Sequence, residues 1–156
     1  ARGLADSMTD QLCYIYTLAF LQYLEGEGRL SPGSGVAVAG DLRPSTPRIC
    51  AAVARAVTDK GYELLYCGEI PSPAVAGFGF SRTIPSVMVT GSHIPDDRNG
   101  IKYNTPTAEV LKPDEQGIRA QSVRVPEGLF GEDGALREPY PLPEVCTDAE
   151  QQYIRR

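Results

Sequence analysis

The chain has 156 residues, 42% of them hydrophobic and 22% charged, with a formal net charge of −5. Such totals belong to a globular protein of ordinary domain size with a real core, not to a disordered or fibrous one. The acidic balance argues against a nucleic-acid partner, which needs a basic surface, and no apolar run reaches the roughly 18 residues of a membrane span. The N-terminus lacks the basic leader and small-residue cleavage site of a signal peptide, so a cytoplasmic protein without a membrane partner is expected. Cys13, Cys50, Cys67 and Cys146 are scattered without a C-x-x-C pair and read as reduced, partly buried thiols. The chain opens Ala1-Arg2-Gly3, and a piece of a longer protein is the expectation.

Ser7-Met8-Thr9-Asp10 has capping-box spacing, and Leu12, Ile15, Tyr16, Ala19 and Tyr23 recur at helical intervals, predicting a helix over residues 8–24. Residues 36–39 form a short buried strand, followed by the loop Gly40-Asp41-Leu42-Arg43-Pro44-Ser45. Thr46 then reads as an N-cap with Pro47 at the first helical position, and Ile49, Val53, Ala56 and Val57 supply one apolar face up to Gly61. A strand over 63–67, a helix opening at Ser72-Pro73 and a strand over 86–90 come next. This alternation predicts an α/β fold: a three-layer α/β/α domain with a mostly parallel central sheet of about four strands. The loops at 41–45, 69–72 and 91–99 then leave the carboxyl ends of the strands at one edge, where such sheets bind ligands.

Past residue 100 the pattern weakens. A hairpin is expected across Pro106 and a helix over 113–122. Residues 124–145, with Pro126, Pro139, Pro141 and Pro143, read as an irregular surface segment or linker, and residues 147–156 as the start of another helix. The expected division is a domain over 1–140, then a linker and the start of a further domain over 141–156.

The chemistry concentrates in Thr90-Gly91-Ser92-His93-Ile94-Pro95-Asp96-Asp97-Arg98-Asn99-Gly100-Ile101-Lys102, which holds the only histidine. A serine becomes a useful nucleophile or phosphoryl carrier where its surroundings stabilise developing charge. Gly91 lets backbone amides approach an anion, and Lys102 can neutralise one. A hydrolase triad is disfavoured because His93 is adjacent to Ser92, so their side chains diverge, and because the G-x-S-x-G elbow is absent. A P-loop is excluded by the lack of G-x-x-x-x-G-K. Asp96-Asp97 reads as a solvated turn.

The whole constellation resembles the active-site serine loop of the α-D-phosphohexomutases, the family of phosphomannomutase and phosphoglucomutase, which usually reads T-A-S-H-N-P and closes with N-G-x-K. Arg2-Gly3 resembles the end of that family's N-terminal R-G segment. Residues 40–45 resemble its G-x-D-x-R-x-S loop, and residues 68–73 its G-x-x-x-T-P. Ile94 for Asn and Gly91 for Ala are departures, the second expected to be mild.

The resemblance implies that Ser92 is the phosphorylated serine and, through its phosphate, a ligand of Mg²⁺. It implies that His93 and Lys102 lie against the transferring group, and that Arg2 helps hold phosphate. It also implies a phosphorylated hexose as substrate and the remaining domains of the parent chain as partners, those domains supplying the other metal ligands. The fragment alone is then expected to be inactive. The competing reading is a non-catalytic α/β module whose serine loop binds phosphate or a partner.

Overall fold

The computed structural model describes residues 2–4, 8–91, 98–138 and 140–154, with the backbone alone for residues 2–4 and 98. The strands are β1 (Arg2–Leu4), β2 (Gly35–Gly40), β3 (Glu63–Glu69), β4 (Ser86–Val89) and β5 (Arg98–Asn104). The helices are α1 (Asp10–Gly26), α2 (Thr46–Asp59), α3 (Ser72–Arg82), α4 (Lys112–Arg119) and α5 (Asp148–Ile154). Strand order is β1-β5-β4-β2-β3. β2 runs parallel to β3 and β4, while β5 returns antiparallel to β4 and pairs with β1. The α/β/α expectation holds, in a five-stranded mixed sheet whose parallel part is β3-β2-β4.

Alternation along the strands sorts the core into two layers. Val36, Val38, Val87, Val89 and Ile101 point to the face covered by α1 and α2, where Phe20, Leu24, Ile49 and Val53 meet them. Ala37, Ala39 and Met88 point the other way, against Val75 and Phe78 of α3 and Ala149 of α5. Residues 36–39 are completely buried, as a strand covered on both faces must be. The parallel strands all end at one edge, so the loops after Gly40, Glu69 and Val89 emerge together, as expected.

Several local expectations are revised. Thr9, not Ser7, caps α1, its hydroxyl accepting from the Leu12 amide at 3.2 Å; Ser7 lies outside the described residues. The apolar stripe predicted for α1 is rotated. Leu12 and Tyr16 remain 43% and 40% exposed, while Cys13, Tyr14, Thr17, Phe20 and Leu21 are buried. The helix is packed by α2 on one side and by α4 on another, and Phe20 stacks at 4.7 Å on Tyr103 of β5. In α2 the N-cap is Ser45, without a side-chain cap, and Thr46 is the first helical residue.

The stretch expected to be an irregular surface segment or linker is irregular, and it is strapped to α1. Phe130 meets Tyr14 edge-on at 5.3 Å, and the Leu136 amide donates to the Asp10 carboxylate at 3.0 Å. Beyond residue 140, α5 returns to lie against α3. All four cysteines are free thiols. Burial pushes Cys13, Cys50 and Cys67 up to about 12, so they stay protonated and serve packing.

Helix α4 is held by Asp114. Its carboxylate accepts from the Leu111 amide at 3.0 Å, the Tyr23 hydroxyl at 2.8 Å and Arg29 Nη1 at 3.0 Å. The Leu111 amide, and then the Tyr23 and Arg29 donors, outweigh burial and hold this carboxyl below its ordinary value. A depressed carboxyl contributes its full stability above the unfolded value of about 4 and loses it as pH falls through the folded value. Asp114→Asn is therefore expected to cost about 1–2 kcal/mol at pH 7. Denaturant titrations across pH should show the gap to wild type closing below about pH 4.

Candidate active site

The edge where β2, β3 and β4 end is organised by Asp41, the first residue after β2. Its amide donates to the Val89 carbonyl at 3.0 Å, which sets the loop beside the end of β4. One carboxylate oxygen accepts from the Arg43 amide at 3.1 Å and from Thr46 Oγ1 at 2.6 Å. The other accepts from Arg43 Nη1 at 2.6 Å, Thr90 Oγ1 at 3.0 Å and the Gly91 amide at 3.3 Å. Burial opposes the charge, but the donors from Thr46, Arg43 and Thr90 overcome it and hold the carboxyl below its ordinary value. With both oxygens saturated by protein donors, Asp41 is a structural anion with no lone pair directed outward for a metal.

Asn99 plays the matching part on the returning strand. It is fully buried, and its Nδ2 donates to Ser45 Oγ at 2.9 Å and Thr46 Oγ1 at 3.0 Å. Its Oδ1 accepts from the Gly100 amide at 2.9 Å. The Thr46 hydroxyl thus donates to Asp41 while accepting from Asn99. Sequence reasoning read Thr46 only as a helix cap and gave Asn99 no role of its own. The available signal was the polar loop after β2, but nothing local says that its partners lie on β5.

Among the residues expected to do chemistry, Ser92 and His93 lie outside the described residues. Lys102 is on β5, paired with Met88 of β4 in an antiparallel register, so the strand does return beside β4 as anticipated. It lines a cavity of about 340 Å³ together with Tyr16, Thr90, Glu109 and Arg119. Arg2 sits on β1 opposite Gly100, which brings its backbone to the strand that carries Lys102. A second cavity, of about 380 Å³, opens on the other side between Asp41, Leu42, Ile70 and Met88, and Thr90 borders both. Among the described residues, no group of three or more His, Cys, Asp or Glu side chains could hold a metal. The described part of the chain therefore offers no cage of its own for Mg²⁺.

Glycine at position 91 leaves room for the Arg43 guanidinium. A Cβ there would stand 2.6 Å from both Cζ and Nε of Arg43 and 2.9 Å from Nη2. The Arg43 side chain is only 11% exposed and is tied to Asp41, so the guanidinium would have to leave its seat. Gly91→Ala is expected to cost about 1–3 kcal/mol through overpacking. Arg43→Ala should abolish most of that penalty, and a double-mutant cycle from denaturant unfolding measures the coupling.

The comparisons with known proteins agree with this geometry. The sequence profile described as phosphoglucomutase/phosphomannomutase, alpha/beta/alpha domain I, matches residues 1–127. A phosphomannomutase of Sinorhizobium fredii is 42% identical over 119 residues, 76% of this chain and 25% of that protein. A phosphoglucosamine mutase of Thermotoga petrophila is 30% identical over 125 residues, 80% of this chain and 27% of its own. The chain thus spans about a quarter of the length of these curated relatives.

The crystal structure of a phosphoglucomutase/phosphomannomutase family protein from Burkholderia thailandensis superimposes with a TM-score of 0.64 at 25% identity, covering 76% of this chain and 27% of that one. The crystal structure of a protein from Thermus thermophilus reaches 0.76 over 99% of this chain and 33% of its own, a likeness of fold at 21% identity. A serine motif carried between β4 and β5, an Asp41 loop at the same sheet edge and a profile match across residues 1–127 lead to one assignment: the chain belongs to the phosphoglucomutase/phosphomannomutase family, as its α/β/α domain I.

Proposed function

We propose that this chain is the phosphoserine domain of a phosphohexomutase that interconverts hexose 1- and 6-phosphates through a bisphosphorylated sugar. The observation that carries the reading is the anchoring of both stems of the serine segment. Gly91 and Asn99 are tied to the Asp41 loop and to the start of α2 at the carboxyl edge of the sheet. Family membership supplies the reaction class. Phosphoryl transfer asks mainly for positioning and charge neutralisation, roles that anchored flanking residues and a lysine on the returning strand suit.

In this reading Ser92 carries the phosphate. The bond between phosphorus and the serine oxygen breaks as a sugar hydroxyl forms its own bond to phosphorus. The hydroxyl proton passes to a base, a role that suits Lys102, and the serine oxygen is left to be reloaded from the other phosphate of the bisphosphate. His93 and Arg2 hold the phosphoryl oxygens. Mg²⁺, when bound through the Ser92 phosphate, neutralises charge on the transferring group; its remaining ligands come from residues outside this chain.

The hexose specificity and the complete site belong to the rest of a longer parent, so the isolated chain is expected to lack mutase turnover. The division proposed is residues 1–140 as the serine domain, with 141–156 leading into the next unit. No helix among the described residues is long and apolar enough to cross a membrane, in keeping with a cytoplasmic enzyme of sugar phosphates.

Incubating the full-length parent with a hexose bisphosphate should place one phosphate on Ser92 by peptide mass spectrometry, and Ser92→Ala should remove it. Lys102→Ala should lower kcat by about 10²–10⁴-fold if the lysine transfers the proton. A turnover-competent parent that never carries phosphate on Ser92 overturns the proposal and favours a module that only binds phosphate.

A further inference from the structure

Described residues flank the serine motif on both sides, and both sides connect to Thr46, the returning one directly and the outgoing one through Asp41. On the outgoing side, Thr90 Oγ1 and the Gly91 amide donate to Oδ2 of Asp41. Thr46 Oγ1 donates to the other oxygen of that carboxylate at 2.6 Å. On the returning side, Asn99 Nδ2 donates to Thr46 Oγ1 at 3.0 Å, and Asn99 Oδ1 holds the Gly100 amide. Across the strands, the Thr90 amide meets the Gly100 carbonyl at 3.0 Å and closes the frame.

Thr46 is itself closely surrounded. It is 3% exposed, its amide donates to the Arg43 carbonyl, and its methyl group fills the space that a Cβ on Gly40 would need. Few side chains can serve both neighbours at once. A hydroxyl has one proton to give to the carboxylate and lone pairs left for the amide, whereas valine offers neither.

We propose that Thr46 is a positioning residue for phosphoryl transfer. With Asp41 it ties Gly91 and Asn99, the described residues on either side of the serine motif, to the first turn of α2. This rests on the reading of Ser92 as the phosphoryl carrier. Because transfer is steeply sensitive to small displacements, the clamp affects the rate of transfer and leaves affinity for the sugar phosphate largely alone.

The test uses the full-length parent with Thr46→Val, Thr46→Ser and Val57→Ala. Val57 is fully buried on the core face of α2, so its truncation destabilises the same helix while sparing the clamp. Thr46→Val should slow loading of phosphate from a hexose bisphosphate onto Ser92 by about tenfold or more, with the dissociation constant for glucose 1-phosphate unchanged within about twofold. Thr46→Ser should restore loading to within about threefold of wild type, and Val57→Ala should load normally despite a lower Tm.

Loading by Thr46→Val at the wild-type rate overturns the proposal, as does equal slowing by Val57→Ala. If the wild-type parent takes up no phosphate, the functional reading fails and amide exchange decides the clamp. Faster exchange at Gly91 and Gly100 in Thr46→Val than in Val57→Ala supports it, and equal exchange overturns it.

Discussion

Asp41 takes donors from its own loop, from the first residue of α2 and from the end of β4. A partly buried carboxylate survives in a folded protein only when its lost hydration is replaced, and here backbone and side-chain donors replace it on both oxygens. The rest of the edge depends on that exchange. Without the charge, the Arg43 guanidinium, the Thr46 hydroxyl and the Thr90 hydroxyl would each face a partner unable to accept as strongly. Arg43 in turn occupies the space over Gly91, so the carboxylate also holds a guanidinium against the position before the serine.

The mixed sheet turns this local arrangement into a platform. Three parallel strands bring their following loops to one edge, and the antiparallel return of β5 pairs Lys102 with Met88 of β4 and Asn99 with Gly3 of β1. Gly91 and Asn99, which flank the serine motif in the chain, are thereby both tied to this edge by hydrogen bonds. Such anchoring suits phosphoryl transfer, where little covalent work is left to the protein beyond placing groups and offsetting charge. Cavities on both sides of Thr90 leave the platform open to whatever completes the site.

Much of this was legible beforehand because it is local. Proline after Thr46 and after Ser72 marks two helix starts, the short β-branched runs mark strands, and the serine motif declares itself by residue type and spacing. The readings that changed depended on neighbours distant in the chain. Helix α1 is apolar on more than one side, so its periodicity admitted overlapping stripes, and only the packing of α2, α4 and Tyr103 settled which one faces inward. Residues 124–145 lack periodicity and read as an irregular surface segment or linker; the structure adds that Phe130 and Leu136 are fastened to α1 by a ring contact and by the Asp10 carboxylate.

The sequence by itself determined the alternation of strands and helices, the sheet edge at which the loops gather, and the serine motif with its lysine. Those features follow from short-range propensities and from residue types that chemistry demands. Tertiary structure alone decided that Thr46 stands between Asp41 and Asn99, since the asparagine lies 53 positions away in the chain. It alone decided that Gly91 makes room for Arg43. A hydrogen bond or a close approach between distant segments leaves no periodic trace in either one, so these contacts exist only once the sheet has brought the strands side by side.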